Sequence, residues 1–523
     1  MRTTPSGEAH DGVPAPEPAA VTAFWAMMTV VFLAAMDSTV VATVLPAIVT
    51  ELGGASLLAW VVTGYLLTTA VSVPLWGKAA DLTSRRGLYI TATIVFLAAS
   101  VWVALAPSMP ALLAGRAVQG IGTGGLMALT PTLVGDLFPA RIRGRFHGRM
   151  GAVLAGSSFV GPLVGGLFAD TLGWRAAFAI NLPLAALALG VVVRRLRPLA
   201  RPAGRRRLDL VGASLLAAAS TAFLLALSGG TPLAAEPYRT PLLAAAGVAA
   251  VAYLPWQARH RDPVLPLRMF RSPIVAAGIA LSFVTGAAML AAVVYAPLYA
   301  QTVQGRSGAT AGALLLPLTG GVLLANITGG SLITRLGRYR PFPIAGTLAV
   351  TVGFGLLATI STSTSTVRFA AGLTLVGTGL GLTMQPAVLA VQNAVDGAEL
   401  GAATAASTFF RQLGATLAVG GLGGLLATRA GPQLAALTDD VATGAAAAAA
   451  RADVAAALGD LFLTMIPVAV AAVIAALLLQ EKPLSTTTPA ASRTTRSDEK
   501  DGHDDPLTRP NAMPVGHERS TRT

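Results

Sequence analysis

The sequence predicts an all-α integral membrane protein: two six-helix bundles with two further helices inserted between them, fourteen membrane spans in all. Three observations carry that prediction. Of 523 residues, 54% are hydrophobic and only 12% charged, well below the roughly 25% charged content of soluble domains. Apolar runs of about 20 residues recur along most of the chain, each long enough to cross a hydrocarbon layer, and none alternates as a barrel strand would. Arginine clusters in alternate intervals, after spans 2, 4, 6, 8 and 10, and one short pattern repeats at a fixed offset.

In chain order, residues 1–21 are polar and Pro-rich, with no basic stretch against the first apolar run and no cleavage site, so a cytoplasmic tail is expected and not a signal peptide. Spans near 22–45, 58–77, 88–106, 110–134, 148–169 and 176–195 make a first bundle over 22–195. A basic loop and spans near 208–228 and 240–257 fill 196–271. Spans near 272–296, 309–334, 342–360, 367–391, 403–427 and 460–479 make a second bundle over 272–480. The interval 428–459 is expected outside the membrane, its Ala-rich stretch forming a helix at the outer surface. The tail 481–523 is polar and mixed in charge, and is expected to be disordered.

The arginines set the orientation. After even-numbered spans lie Lys78, Arg85 and Arg86, then Arg141, Arg143, Arg145 and Arg149, then seven arginines from Arg194 to Arg207, then Arg259, Arg261, Arg268 and Arg271, then Arg335, Arg338 and Arg340. By the positive-inside rule these intervals are cytoplasmic, and an even number of spans puts both termini on that side of the cell membrane. The net charge of +13 therefore reads as topology, and the run RRLRPLARPAGRRR as a lipid-facing loop and not a nucleic-acid patch. Gly77, Asp81 and Arg85 recur as Gly330, Thr334 and Arg338, each pair 253 residues apart. A duplicated six-span unit with two spans inserted accounts for the eight spans between them. The chain has no cysteine and no histidine inside a span, His147 falling at a cytoplasmic edge. No metal or cofactor is therefore expected, and no nucleophile–base pair points to an enzyme.

Asp37 is the one ionisable group between Val21 and Val49. A charge at the centre of a membrane helix costs roughly 2.5–3.5 kcal/mol, so such a residue faces a protein interior or a cavity and its default role is functional. Nine residues separate it from Pro46, about 13 Å at 1.5 Å per residue, too deep for so short a side chain to reach the surface. Binding and release of a proton is the expected chemistry. In span 4, Arg116, Gln119, Gly120 and Thr123 fall at i, i+3, i+4 and i+7, a polar face expected to line a cavity. Arg116 lies about as deep as Asp37, and pairing would spare both the cost of an isolated buried charge. In span 5, Gly161, Gly165 and Gly166 leave a smooth surface and Pro162 permits a bend. Trp60, Tyr65, Gln301, Asn326 and Gln385 are candidate cavity residues by type and depth. Arg411, about two turns into span 13, is expected to snorkel or pair.

These strings occur in an order that resembles the major facilitator superfamily, in particular its fourteen-span drug:proton antiporter branch of the EmrB/QacA type. The matching strings are MDSTVVATVLPAI, GKAADLTSRRG, GRAVQGIGTGGLMALTP, GSSFVGPLVGG with GWRAAFAINLP, RLDLVG, YAQTVQGRSGATAGALLLP and QNAVDGAELGAATAASTFFRQLGA, covering nearly the whole membrane region. The resemblance implies a proton-coupled antiporter that exports small organic compounds, drugs or antibiotics, by alternating access. It implies Asp37 and Arg116 as the proton-coupling pair, and Gly77, Asp81, Arg85 and Arg86 as a cytoplasmic gate. Gly156, Gly161, Pro162, Gly165 and Gly166 match its antiporter-type motif. The gate string departs in having Leu82 where a basic residue is usual and Ser84 where a glycine is. Spans 9 to 13 hold no Asp or Glu, which points to a neutral or monocationic substrate, carried by a monomer. The alternative on the same fold is a proton-coupled or facilitated importer of a small nutrient, since fold does not fix direction.

Overall fold

A computed structural model describes residues 16–54, 57–196, 209–227, 237–438 and 443–484. The tail segments 1–15 and 485–523 and the basic loop at 197–208 lie outside the described residues. The helices are α1 (Pro18–Leu52), α2 (Leu58–Leu82), α3 (Arg85–Ala104), α4 (Met109–Leu137), α5 (Ala140–Thr171), α6 (Trp174–Ala179), α7 (Asn181–Arg195), α8 (Leu210–Leu227), α9 (Arg239–Arg259), α10 (Pro273–Thr302), α11 (Gly308–Ala313), α12 (Leu316–Leu336), α13 (Pro341–Leu357), α14 (Thr366–Ala394), α15 (Leu400–Thr438) and α16 (Gly444–Leu478).

Their ends follow local chemistry. Prolines open α1, α4, α10, α12 and α13, where the missing N–H leaves nothing unpaired. Gly337 closes α12 with φ 69°, a left-handed conformation that glycine adopts without steric cost. Ser84, the departure noted in the gate string, caps α3: its Oγ accepts Gly87 N–H at 3.3 Å. The Ala-rich stretch is no separate surface helix. It forms the first turns of α16, with Ala447, Ala450 and Val454 buried, because alanine loses no side-chain entropy on extending a helix.

Among the described residues, twelve helical segments are long and apolar enough to cross a membrane. Two expected spans fall on helices outside that set. Helix α4 is 29 residues long, but Arg116, Gln119 and its many glycines make it too polar, and α13 has only 17 residues.

Helices α1–α7 share one buried apolar core and α10–α16 share another. The groups meet where α5 packs on α12 and α2 on α15. The α8–α9 hairpin lies against α2 and α15 through α8, and Asp209 ties α8 to α9. One Asp209 oxygen accepts Gly212 N–H at 2.8 Å and Trp256 Nε1–H at 2.9 Å, and the other accepts Gln257 Nε2–H at 2.8 Å.

Candidate functional site

Asp37 and Arg116 form an ion pair, each 1% exposed. The other carboxylate oxygen of Asp37 accepts Gln119 Nε2–H at 3.1 Å and Asn181 Nδ2–H at 3.2 Å. Arg116 also donates to Gln119 Oε1 at 2.7 Å and to the Val61 carbonyl at 3.3 Å, and Gln119 donates onward to Ser100 Oγ at 2.9 Å. The guanidinium carbon lies 4.1 Å from the centre of the Tyr65 ring, a cation–π contact. Five helices thus supply one closed polar network, which offsets the cost of burying two charges. Asn181 reaches Asp37 from the junction of α6 and α7, where Ile180 keeps helical φ and ψ of −60° and −26°. Neither Asn181 nor Ser100 is flagged by sequence reasoning. The signal available was a neutral polar residue inside an apolar run.

Beside this network, between the two helix groups, lies a cavity of about 240 Å³. Tyr65, Asn326 and Gln385 line it, as do Thr123, Ser38 and Gln412, with Met127, Met289 and Met384 supplying apolar wall. Trp60 and Gln301 do not: Trp60 is half-buried at the start of α2, and Gln301 is exposed near the end of α10. Of the expected polar face of α4 only Thr123 lines the cavity. Arg116 and Gln119 turn toward Asp37, and Gly120 lets α4 touch α2, since a Cβ there would collide with the Tyr65 carbonyl. Tyr65 joins the two regions. Its hydroxyl donates to the Ala34 carbonyl at 2.9 Å and pairs with the Thr123 hydroxyl at 3.1 Å.

The arginine-rich end is closed by contacts between the two helix groups. The Asp81 carboxylate accepts Gly401 N–H and Ala402 N–H, both at 2.8 Å, at the start of α15, where the helix dipole favours an anion. Arg85 donates to Asp81 at 3.0 Å, to Asp136 at 2.6 Å and to the Gly397 carbonyl at 2.8 Å. Gly77 faces Gly401 and Ala405 across the same seam, and Gly330 faces Gly144 and Gly148 across the α5–α12 seam. The two strings of the repeat thus occupy equivalent seams. Arg86 does not reach the other group: it donates to the Val193 carbonyl in α7 at 2.7 Å. His147, expected at an edge, is fully buried in α5, its Nε2 3.0 Å from Gln392 Oε1 in α14.

In the span-5 motif, Gly161 and Gly165 pack directly on α1, where a Cβ would collide with the Thr39 and Thr43 hydroxyls. Gly156 and Gly166 face open space, so packing does not require glycine there. Pro162 sits within α5.

Two helix groups with a polar-lined cavity between them are the build of a membrane transporter. A family model of the Major Facilitator Superfamily matches residues 27–419. This chain belongs to that superfamily. It is 36% identical over 480 residues to an uncharacterized MFS-type transporter of Mycobacterium tuberculosis, covering 88% of this chain and 70% of the relative. It is 33% identical over 407 residues to the multidrug transporter protein MdtP of Bacillus subtilis, covering 77% and 75%. It is 31% identical over 418 residues to the efflux pump FUS6 of Gibberella fujikuroi, again covering 77% and 75%. Among solved structures, the proton:xylose symporter XylE shares the fold, with a TM-score of 0.61 and 16% identity over 91% of this chain and 98% of that one.

Proposed function

We propose that this chain exports small organic compounds in exchange for protons, through alternating access of the central cavity. The observation that carries the reading is that the Asp37–Arg116 pair stands one side chain from the cavity, with Tyr65 in contact with both. Facing outward, Asp37 takes up a proton and its tie to Arg116 weakens. Facing inward, it releases the proton as substrate binds. Tyr65 passes the change on, because its ring stacks on Arg116 and its hydroxyl ties α2 to α1 and α4. The relatives named as a multidrug transporter and an efflux pump support export over import.

The same reading takes α4 and α13 as spans, giving fourteen, with both termini cytoplasmic and the bundles 22–195 and 272–480 as the moving units. Asp81 and Arg85 hold the cytoplasmic side shut. The absence of Asp and Glu from spans 9 to 13 supports a cargo other than a dication, since a doubly charged cation needs more than one buried carboxylate to offset its desolvation.

The test uses inside-out membrane vesicles with an acid interior. Wild type is expected to accumulate an exported compound and to dissipate the pH gradient as it does so, whereas Asp37→Asn does neither. An Asp37→Asn variant present in the membrane at normal levels that still accumulates compound at the expense of the gradient overturns the proton assignment. Proton-linked loss of compound from these vesicles identifies an importer.

A further inference from the structure

Among the described residues, Arg411 has no counter-ion. At 1.5 Å per residue it stands about 16 Å into α15 from Leu400, too deep to snorkel from that end. Among the described residues, no hydrogen bond or ion pair reaches its guanidinium. The arginines that are buried are all engaged: Arg116 with Asp37, Arg85 with Asp81 and Asp136, and Arg143 with the Gly135 and Phe138 carbonyls.

Arg411 lines a small recess together with Thr130, Met150 and Thr408. The recess shares Met127, Leu154 and Gln385 with the central cavity. Among the described residues, no other charged side chain lines either space, Asp37 being enclosed by Arg116, Gln119 and Asn181. The combined space therefore carries one unbalanced positive charge. Among the groups on its wall, Asn326 Oδ1 and Gln412 Oε1 are buried with no hydrogen-bond donor.

We propose that Arg411 anchors a subsite for an organic anion. The guanidinium receives a carboxylate or phenolate of the cargo, and hydroxyl or N–H groups on the same molecule donate to Asn326 and Gln412. The methionine side chains Met127, Met289 and Met384 accept its apolar part, thioethers being adaptable to varied shapes. The planar fork of arginine suits an oxyanion, and a charge-assisted pair is stronger here than in water. The proposal rests on the transporter reading, and it shifts the expected cargo from neutral or monocationic to a neutral-to-acidic amphipathic compound.

Equilibrium dialysis of purified protein tests it, with two probes on one xanthene frame: fluorescein, which carries a carboxylate and a phenolate, and rhodamine 123, a cation whose carboxyl is esterified. Wild type is expected to bind fluorescein saturably. Arg411→Gln should bind it about tenfold or more weakly and Arg411→Lys less weakly, while rhodamine 123 binding holds or rises. Wild type preferring rhodamine 123, absence of saturable fluorescein binding, or Arg411→Gln binding fluorescein as tightly as wild type each overturns the proposal. If Arg411→Gln does not purify as a monodisperse species, competition on wild type decides. Displacement of fluorescein by benzoate and not by benzylamine supports the subsite, and equal displacement by both overturns it. Binding in detergent needs no proton gradient. Intact fluorescein binding with no proton-linked transport would therefore sink the exchange reading and leave the subsite standing.

Discussion

Replacing Asp81 by asparagine tests whether one carboxylate holds the arginine-rich end shut. Asp81 accepts two backbone N–H groups of α15 at 2.8 Å and Arg85 at 3.0 Å. Hydrogen bonds to a charged group contribute about 1.5–3 kcal/mol each. Asparagine keeps one acceptor oxygen and presents an NH₂ to a backbone N–H, so one bond across the seam is lost and the survivor loses its charge. Arg85 retains Asp136 at 2.6 Å, so the N-terminal half of the lock stays assembled. The closed state should weaken by about 2–3 kcal/mol, which is roughly a 30- to 150-fold rise in the ratio of open to closed. Because the chain has no cysteine, Thr83→Cys and Arg338→Cys place two spin labels without further engineering. Both positions are exposed at this end, one on each helix group. Double electron–electron resonance should show one short separation in the Asp81 background and a growing longer one in Asp81→Asn. Identical distance distributions in the two backgrounds would refute the argument.

Two further outcomes follow from the structure. Gly161→Ala should lower thermal stability in detergent by about 1–3 kcal/mol, as overpacking does, while Gly156→Ala should leave it unchanged or slightly raised; equal losses at both positions would contradict the packing described. Glu51 accepts hydrogen bonds from Arg175 and from Trp174 Nε1, and the Arg175 bond above all holds its carboxyl below the ordinary carboxylate range. A depressed carboxyl contributes while it is ionised, so this clamp is present above the ordinary carboxylate range and is lost as pH falls through the depressed value. The tryptophan emission of wild type minus that of Glu51→Gln should change only on acidification, and a pH-independent difference would contradict the clamp.

The juxtaposition of Asp37 and Arg116 was legible because charge in an apolar run is conspicuous and depth can be counted in residues. The rest of their network was not, since Ser100 and Asn181 carry no charge and their distance from Asp37 in sequence gives no hint of contact. Depth also failed to separate Tyr65, Asn326 and Gln385, which reach the cavity, from Trp60 and Gln301, which do not. What decides between them is helix rotation, and an all-round apolar helix such as α10 gives no periodicity from which to read it. Glycines divide the same way. Gly161 and Gly156 are indistinguishable in the string, yet only the first meets a neighbour. The Asp81 seam was half legible: Asp81 and Arg85 point to an ion pair, but the partners across the seam are backbone amides of Gly401 and Ala402, which no side-chain pattern announces.

The two glycine seams bear on how fast such a molecule works. At Gly77 and at Gly330 the main chains of facing helices meet with almost no side chain between them. Interlocked side chains must change rotamer in concert before helices part, and each change adds to a barrier. On the alternating-access reading proposed above, bare backbone surfaces would part with few rotamer changes, leaving the polar ties at each seam to set the rate of opening. A single methyl at either glycine would act as a wedge that props its own seam ajar. The duplicated string thus offers two independent handles, one per seam, for trapping the protein part-way through its cycle.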